Sequence, residues 1–152
     1  MALICDTGAV YALYDGDDVH HLAAKKTVEA EVGPLFLPMV LLAEIDYLLT
    51  ARLGVDAAVE FLESIELGAF TLVAPSAEDL SRCRQLMLQY RDLAIGLADA
   101  SVVATAERLS IQRLFTVDHR HFRAMKPQGL SHFIILPEDE KSTKSARKRK
   151  HR

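Results

Sequence analysis

The stretches ALICD, at residues 2–6, and LFTVD, at residues 114–118, decide the fold, because each is a short apolar run that ends on an aspartate. Runs of this kind are typical of strands that are buried on both faces of a parallel sheet. Asp6 and Asp118 therefore follow directly on predicted strands. In open α/β sheets, ligands bind at the edge formed by the carboxyl ends of the strands. The two aspartates are thus predicted to lie at the functional edge of a sheet.

The rest of the sequence alternates between strands and helices. Three more strands are predicted, at residues 35–37, 70–73 and 133–136. Helices are predicted from a cap at Asp17 or Asp18 towards Val32, and over residues 7–13, 39–53, 55–65, 76–90, 97–109 and 119–125. Strands that alternate with helices predict an α/β fold with a central, mainly parallel five-stranded sheet flanked by helices.

Length and charge divide the 152 residues into two parts. Residues 1–137 have the length and apolar content of one compact domain, whereas residues 138–152 are predicted to be a disordered basic tail. The tail holds seven of the 18 Lys and Arg and three of the 21 Asp and Glu, so residues 1–137 carry 11 bases, 18 acids and a net charge of −7. Such a domain does not attract a polyanion by net charge, and a nucleic acid would need a cation at an acidic site. The tail is expected either to contact RNA phosphates or to act as a solubilising end.

The sequence lacks the signals of a membrane or secreted protein. No apolar run approaches the roughly 20 residues of a membrane span. The apolar start, residues 1–5, lacks the basic residues and the length of a signal peptide. We therefore expect a cytoplasmic protein with no membrane partner.

Two further acids, Glu44 and Asp99, occur in segments that otherwise suit a protein core. Glu44 shares a helix face with Leu41 and Leu48, and Asp99 lies in the run LADA at residues 97–100. A buried carboxylate is costly unless it is paired, protonated or bound to a metal. If the four acids converge, a divalent cation would remove both the desolvation cost and their repulsion. Carboxylates are the oxygen ligands that Mg²⁺ and Mn²⁺ prefer.

Each acid also has a purely structural interpretation. Asp6 and Asp118 could be N-caps of the helices that follow them. Glu44 could pair with a distant arginine, and Asp99 could be a first-turn acid favoured by the helix dipole. These interpretations need separate causes for the four acids, whereas a metal site needs one.

Four short motifs give the chain a resemblance to a known family. They are ICDTGA at residues 4–9, LAEI at 42–45, LADA at 97–100, and FTVD at 115–118 followed by His121 and Phe122. In their order and spacing, residues 2–136 resemble PIN-domain nucleases, and most closely the VapC-type toxins of bacterial toxin–antitoxin pairs.

The resemblance implies a PIN-like fold in which Asp6, Glu44, Asp99 and Asp118 bind Mg²⁺, with Mn²⁺ as a possible substitute. It implies hydrolysis of RNA to a 5′-phosphate and a 3′-hydroxyl, a cognate antitoxin as partner, and a homodimer. Supporting residues are Thr7 and Thr116, at positions where family members often carry a hydroxyl near the metal. Asp92 is similar to an acid found before the third motif in some toxins, although a solvated loop acid explains it too. His121 is expected to serve in packing or capping.

Three other functions are compatible with the sequence. One is a housekeeping PIN nuclease that processes RNA without an antitoxin. Another is a catalytically silent PIN module that binds RNA or protein. The third is a different Mg²⁺ enzyme on an α/β sheet, such as a phosphohydrolase. An enzyme of the haloacid dehalogenase type would be expected to have a second aspartate where Gly8 stands.

Overall fold

The five strands form one parallel sheet. The structure is a computed structural model that describes residues 1–140. The strands are β1 (Leu3–Cys5), β2 (Leu35–Pro38), β3 (Thr71–Val73), β4 (Arg113–Phe115) and β5 (Ile134–Leu136). They lie in the order β3-β2-β1-β4-β5, and every neighbouring pair is parallel. The predicted α/β fold with a five-stranded parallel sheet is confirmed.

Helices connect the strands close to the predicted positions. They are α1 (Thr7–Tyr14), α2 (His21–Ala30), α3 (Leu42–Leu53), α4 (Val55–Glu66), α5 (Ala77–Gln89), α6 (Leu97–Leu109) and α7 (His119–Ala124). Short 3-10 turns precede α3 at Met39–Leu41 and α6 at Arg91–Leu93.

Three predicted boundaries are wrong for local reasons. The helix α2 begins at His21, because the Asp18 carboxylate accepts a hydrogen bond from the backbone of His20 at 2.7 Å and forms a turn before the helix. It ends at Ala30, because Glu31 is extended and its side chain accepts from the Gly33 backbone at 2.9 Å. The strand β4 ends at Phe115 rather than at residue 117.

The central strand β1 is completely buried, and α6 lies against it. Every residue from Ala100 to Ala106 of α6 is buried, which explains the Ala- and Val-rich sequence of this helix. The helix α5 packs along α6. Two ion pairs join these helices, Arg82 with Glu107 at 2.8 Å and Arg108 with Asp79 at 2.9 Å.

The end of the described chain contacts the domain. The Asp139 side chain accepts a hydrogen bond from the Ile135 backbone at 2.7 Å and pairs with Arg123. Residues 141–152, most of the predicted basic tail, lie outside the described residues. Within residues 1–140, none of the helices combines the length and apolar character required to cross a membrane.

Candidate active site

Asp6 is anchored between the two central strands, where their carboxyl ends meet. Its backbone N–H donates to the carbonyl of Phe115 at 2.9 Å, which extends the pairing of β1 with β4. The Thr116 hydroxyl donates to Asp6 Oδ2 at 2.8 Å and also accepts from the Asp118 N–H at 3.0 Å. This second bond forms a tight turn, which ends β4 early and directs the chain towards α7. Thr116 therefore fixes the orientation of one acid and the backbone of another.

The environment of Asp6 disfavours its ionised form. The residue is only 5% exposed. The pKa of Asp6 is raised from 3.8 to about 7, mainly by burial; the charges of Asp99 and Glu44 also raise it, whereas the hydrogen bond from Thr116 lowers it. These electrostatic effects indicate that three of the four predicted acids lie close to one another.

Asp99 and Asp118 meet through a histidine. Asp99 lies in the first turn of α6 and Asp118 directly before α7. His121 Nδ1 is 3.1 Å from Asp99 Oδ2 and 3.3 Å from Asp118 Oδ2. Burial raises the pKa of Asp99; His121 lowers it, while the charges of Asp118 and Glu44 raise it. The fourth acid therefore belongs to the same cluster.

Glu44 enters the cluster from α3, and Thr7 contacts it from α1. The Thr7 hydroxyl donates to Glu44 Oε2 at 3.1 Å. Glu44 was predicted in a segment that suits a protein core, but it is exposed, as is Asp118. Both lie at the open edge of the sheet, one in the first turn of α3 and the other in the loop after β4.

The structural interpretations of three acids are wrong. Asp6 and Asp118 occupy the N-cap positions of α1 and α7, but neither side chain makes a capping hydrogen bond. In residues 1–140, no Lys or Arg forms an ion pair with Glu44. Asp99 does lie in a first turn, so a favourable interaction with the helix dipole adds to its place in the cluster.

His121 is the site residue that sequence reasoning missed. It was expected to pack or cap, but Phe122 is the buried residue of α7, and the imidazole contacts two acids instead. The available signal was its spacing, because residues three apart on a helix share a face, which places His121 over Asp118. Asp92 lies on the exposed 3-10 turn, as expected of a solvated acid.

Gly8 allows α1 to approach the turn that carries Asp118. A Cβ atom at position 8 would lie 2.8 Å from Val117 Cγ2, closer than side chains pack. An aspartate at this position would require the Val117 side chain to shift, and the second aspartate expected of an enzyme of the haloacid dehalogenase type is absent.

The donors of this cluster have the chemistry that a hard divalent cation needs. Four carboxylates and two hydroxyls supply oxygen, and across residues 1–140 no Lys or Arg forms an ion pair with any of the four acids. In this structure the acids contact Thr7, Thr116 and His121 through hydrogen bonds or ion pairs. Within the described region, no group of three His, Cys, Asp or Glu side chains is already arranged to hold a metal ion. Burial and mutual repulsion nevertheless leave an unfavourable energy that a cation would offset.

Comparison with known proteins defines the class. The chain matches the PIN domain over residues 3–127 and belongs to the PIN-domain family. Among curated proteins it is similar to Ribonuclease VapC26 of Mycobacterium tuberculosis, with 33% identity over 135 residues, which cover 89% of this chain and 100% of the relative. The resemblance to PIN-domain and VapC-type proteins is therefore confirmed.

Solved structures show the same fold. Mycobacterium tuberculosis VapC20, described as a sarcin-ricin loop cleaving toxin, has a TM-score of 0.72 at 21% identity, with 78% of this chain and 92% of that chain covered. FitAcB from Neisseria gonorrhoeae has a TM-score of 0.65 at 17% identity, with 88% and 97% covered. A toxin-antitoxin complex from Klebsiella pneumoniae has a TM-score of 0.63 at 20% identity, with 81% and 92% covered.

Proposed function

We propose that this chain is a metal-dependent endoribonuclease that hydrolyses RNA phosphodiester bonds, with Mg²⁺ as its cofactor and Mn²⁺ as a substitute. The observation that carries the proposal is Asp6, a buried carboxylate with a raised pKa that faces Asp99 and Glu44 at the carboxyl edge of the sheet. A raised carboxylate pKa in a cleft is typical of a functional site. The curated relative named as a ribonuclease supports the substrate class.

The side chains divide into ligands and residues that orient them. Asp6 and Asp99 are the proposed direct ligands, Glu44 binds metal or orients water, and Asp118 completes the cluster. Thr116 orients the Asp6 carboxylate and Thr7 orients that of Glu44. When bound, a divalent cation supplies Lewis acidity for attack by water and offsets negative charge on the phosphoryl oxygens. The products implied by the family are a 5′-phosphate and a 3′-hydroxyl.

His121 has a place in this proposal through its two contacts. With its Nδ1 within 3.3 Å of Asp99 and Asp118, the imidazole limits how these carboxylates can turn. A residue that locks the rotamers of ligands helps to preorganise a site. His121 is therefore a positioning residue.

The same proposal includes a cytoplasmic toxin of a toxin–antitoxin pair that forms a homodimer. Toxin-antitoxin complexes among the structural neighbours support an antitoxin partner. The helix α4 exposes the apolar side chains of Val55, Val59 and Leu62. An exposed apolar surface of this kind suits contact with an apolar partner. A second apolar surface, suited to a copy of the chain, lies on α5 at Leu80 and Leu88.

The competing proposal is a PIN module that binds RNA without cutting it. The observation that favours it is the absence, within residues 1–140, of three side chains already set to bind one ion. The presence of all four acids favours the nuclease.

The experiment is cleavage of a mixed RNA pool by the purified chain, free of any partner, with Mg²⁺ or Mn²⁺. EDTA and the variant Asp99→Asn are the controls, and thermal unfolding verifies that the variant is folded. Cleavage that both controls abolish supports the metal nuclease, and mapping of the cut ends identifies the target. If the folded chain neither cleaves RNA nor arrests growth on expression, the silent module is the better description.

A further inference from the structure

A cavity of about 500 Å³ lies where α7 ends and the chain returns to β5. Its apolar wall includes the buried side chains of Phe122 and Phe133. Its polar lining includes the exposed residues Arg123, Lys126 and His132. The volume is within the roughly 300–1,000 Å³ of sites that bind small organic ligands.

The segment around this cavity is basic in an acidic domain. Residues 119–137 contain no Asp or Glu and carry Arg120, Arg123 and Lys126, whereas residues 1–118 carry 8 bases and 18 acids. A local excess of positive charge attracts a polyanion that the rest of the domain repels.

The lysine is the cavity's available cation. Burial acts to raise the pKa of Asp139, but the hydrogen bond and charge of Arg123, with a smaller effect of His132, lower it below its usual range. Asp139 thus neutralises part of this lining. The Lys126 backbone donates to the Tyr90 hydroxyl at 2.9 Å, which fixes the position of the residue, while its ammonium forms no ion pair within the described chain.

We propose that this cavity binds one nucleotide of a single-stranded RNA, a few nucleotides from the bond that is cut. The phosphate is held by Lys126 and Arg123, and the base lies on the apolar wall. This inference rests on the proposed function, because RNA is the substrate that both sites share.

The helix α7 connects the acidic cluster to the cavity, and its length limits how many nucleotides separate the two sites. The six residues of α7 lead from Asp118 to the cavity, and at 1.5 Å per residue they span about 9 Å. A stacked strand rises about 3.4 Å per nucleotide, and the lining continues beyond the end of α7, so the cavity receives a nucleotide at least two or three positions from the scissile phosphate. The arrangement favours RNA over an acidic peptide, since the cations and the apolar wall match a phosphate and a base.

The test measures binding without cleavage. A short fluorescent single-stranded RNA is titrated with the full chain in EDTA over a range of salt concentrations, using fluorescence anisotropy. Lys126→Gln and the double variant Arg123→Gln/Lys126→Gln are compared with Lys26→Gln, which removes an exposed lysine from α2. The basic tail is present in every protein, so its contribution cancels in the comparison.

Each phosphate contact contributes about 0.7 to the slope of log affinity against log salt for a single strand. We expect the slope to fall by about 0.7 in the double variant, which loses the single phosphate contact, with affinity about fivefold lower at 0.1 M salt. In Lys126→Gln, where Arg123 remains, the slope should fall by less. Lys26→Gln should match the native chain. Asp139→Asn, which frees Arg123, should strengthen binding.

Slopes that are equal in the native chain and the double variant, with unchanged unfolding midpoints, overturn the inference. The inference is also overturned if the native protein binds no RNA. It is overturned too if the double variant no longer binds an acidic peptide while its RNA binding is unchanged. Failure of the two proposals is distinguishable. RNA cleavage with unaltered slopes contradicts only the cavity, whereas altered slopes without any cleavage contradict only the nuclease.

Discussion

Replacement of Asp6 by asparagine tests whether the site carries a desolvated carboxylate. Asparagine has nearly the same shape and can still accept the hydrogen bond from Thr116. In the native chain, the folded pKa of about 7 is above the unfolded value near 3.8. Stability from Asp6 is therefore fully present below about pH 4 and is lost progressively as the pH rises through about 7. The full shift corresponds to about 4 kcal/mol, of which about 3 kcal/mol is lost between pH 5 and pH 8.5.

The assay is urea unfolding of the native chain and Asp6→Asn in EDTA at both pH values. The difference in free energy of unfolding between the two proteins should change by about 3 kcal/mol in favour of the variant as the pH rises. Asp46→Asn, which removes an exposed carboxylate from α3, is the matched control and should parallel the native chain. A difference between native and Asp6→Asn that stays constant within about 0.5 kcal/mol would refute the burial argument.

Three further predictions concern the cation, a hydroxyl and the support of α6. At pH 8, Mg²⁺ or Mn²⁺ at about 100 times its dissociation constant should raise the free energy of unfolding by about 3 kcal/mol, and Asp99→Asn should abolish the rise; a thermal shift retained by the variant would contradict this assignment. Thr7→Val removes the hydroxyl that orients Glu44. Because this costs about one hydrogen bond to a charged group, the rate of RNA cleavage should fall at least tenfold, and Thr7→Ser should restore it. Arg82→Gln leaves Glu107, which is 10% exposed, without its ion pair and should cost about 3 kcal/mol in urea unfolding; a cost below about 1 kcal/mol would show that solvent compensates the carboxylate.

The regular part of the fold could be predicted because local signals agreed with the tertiary structure. The helix α6 was predicted at Leu97–Leu109 and lies there, since Gly96 interrupts the chain before it and its Ala- and Val-rich pattern matches its burial. The helix predicted to start at Ser76 has a capping box there, in which Ser76 and Asp79, three residues apart in sequence, make both hydrogen bonds. In both cases, residues close together in the sequence carry the signal for where the helix begins.

The acids of the candidate site could be identified from the sequence, but their contacts could not. The strand pattern and the family motifs identified Asp6 and Asp99, and the structure places them together. The early end of β4 depends on the Thr116 hydroxyl, which bonds to a residue 110 positions away, so no local pattern reports it. The contact of His121 with Asp99 likewise joins two helices whose relative position only the folded sheet determines.

The position of β1 in the middle of the sheet also sets when an active protein can exist. One neighbour, β2, follows it closely in the chain, but the other, β4, ends at residue 115, and Asp118 comes after it. Ribosomes add about 5–20 residues per second, so roughly 6–20 s pass between the synthesis of Asp6 and that of Asp118. Throughout this interval the nascent chain contains an incomplete set of acids and no strand to orient the first of them. Until Asp118 has been added, the nascent chain cannot assemble the complete acidic cluster.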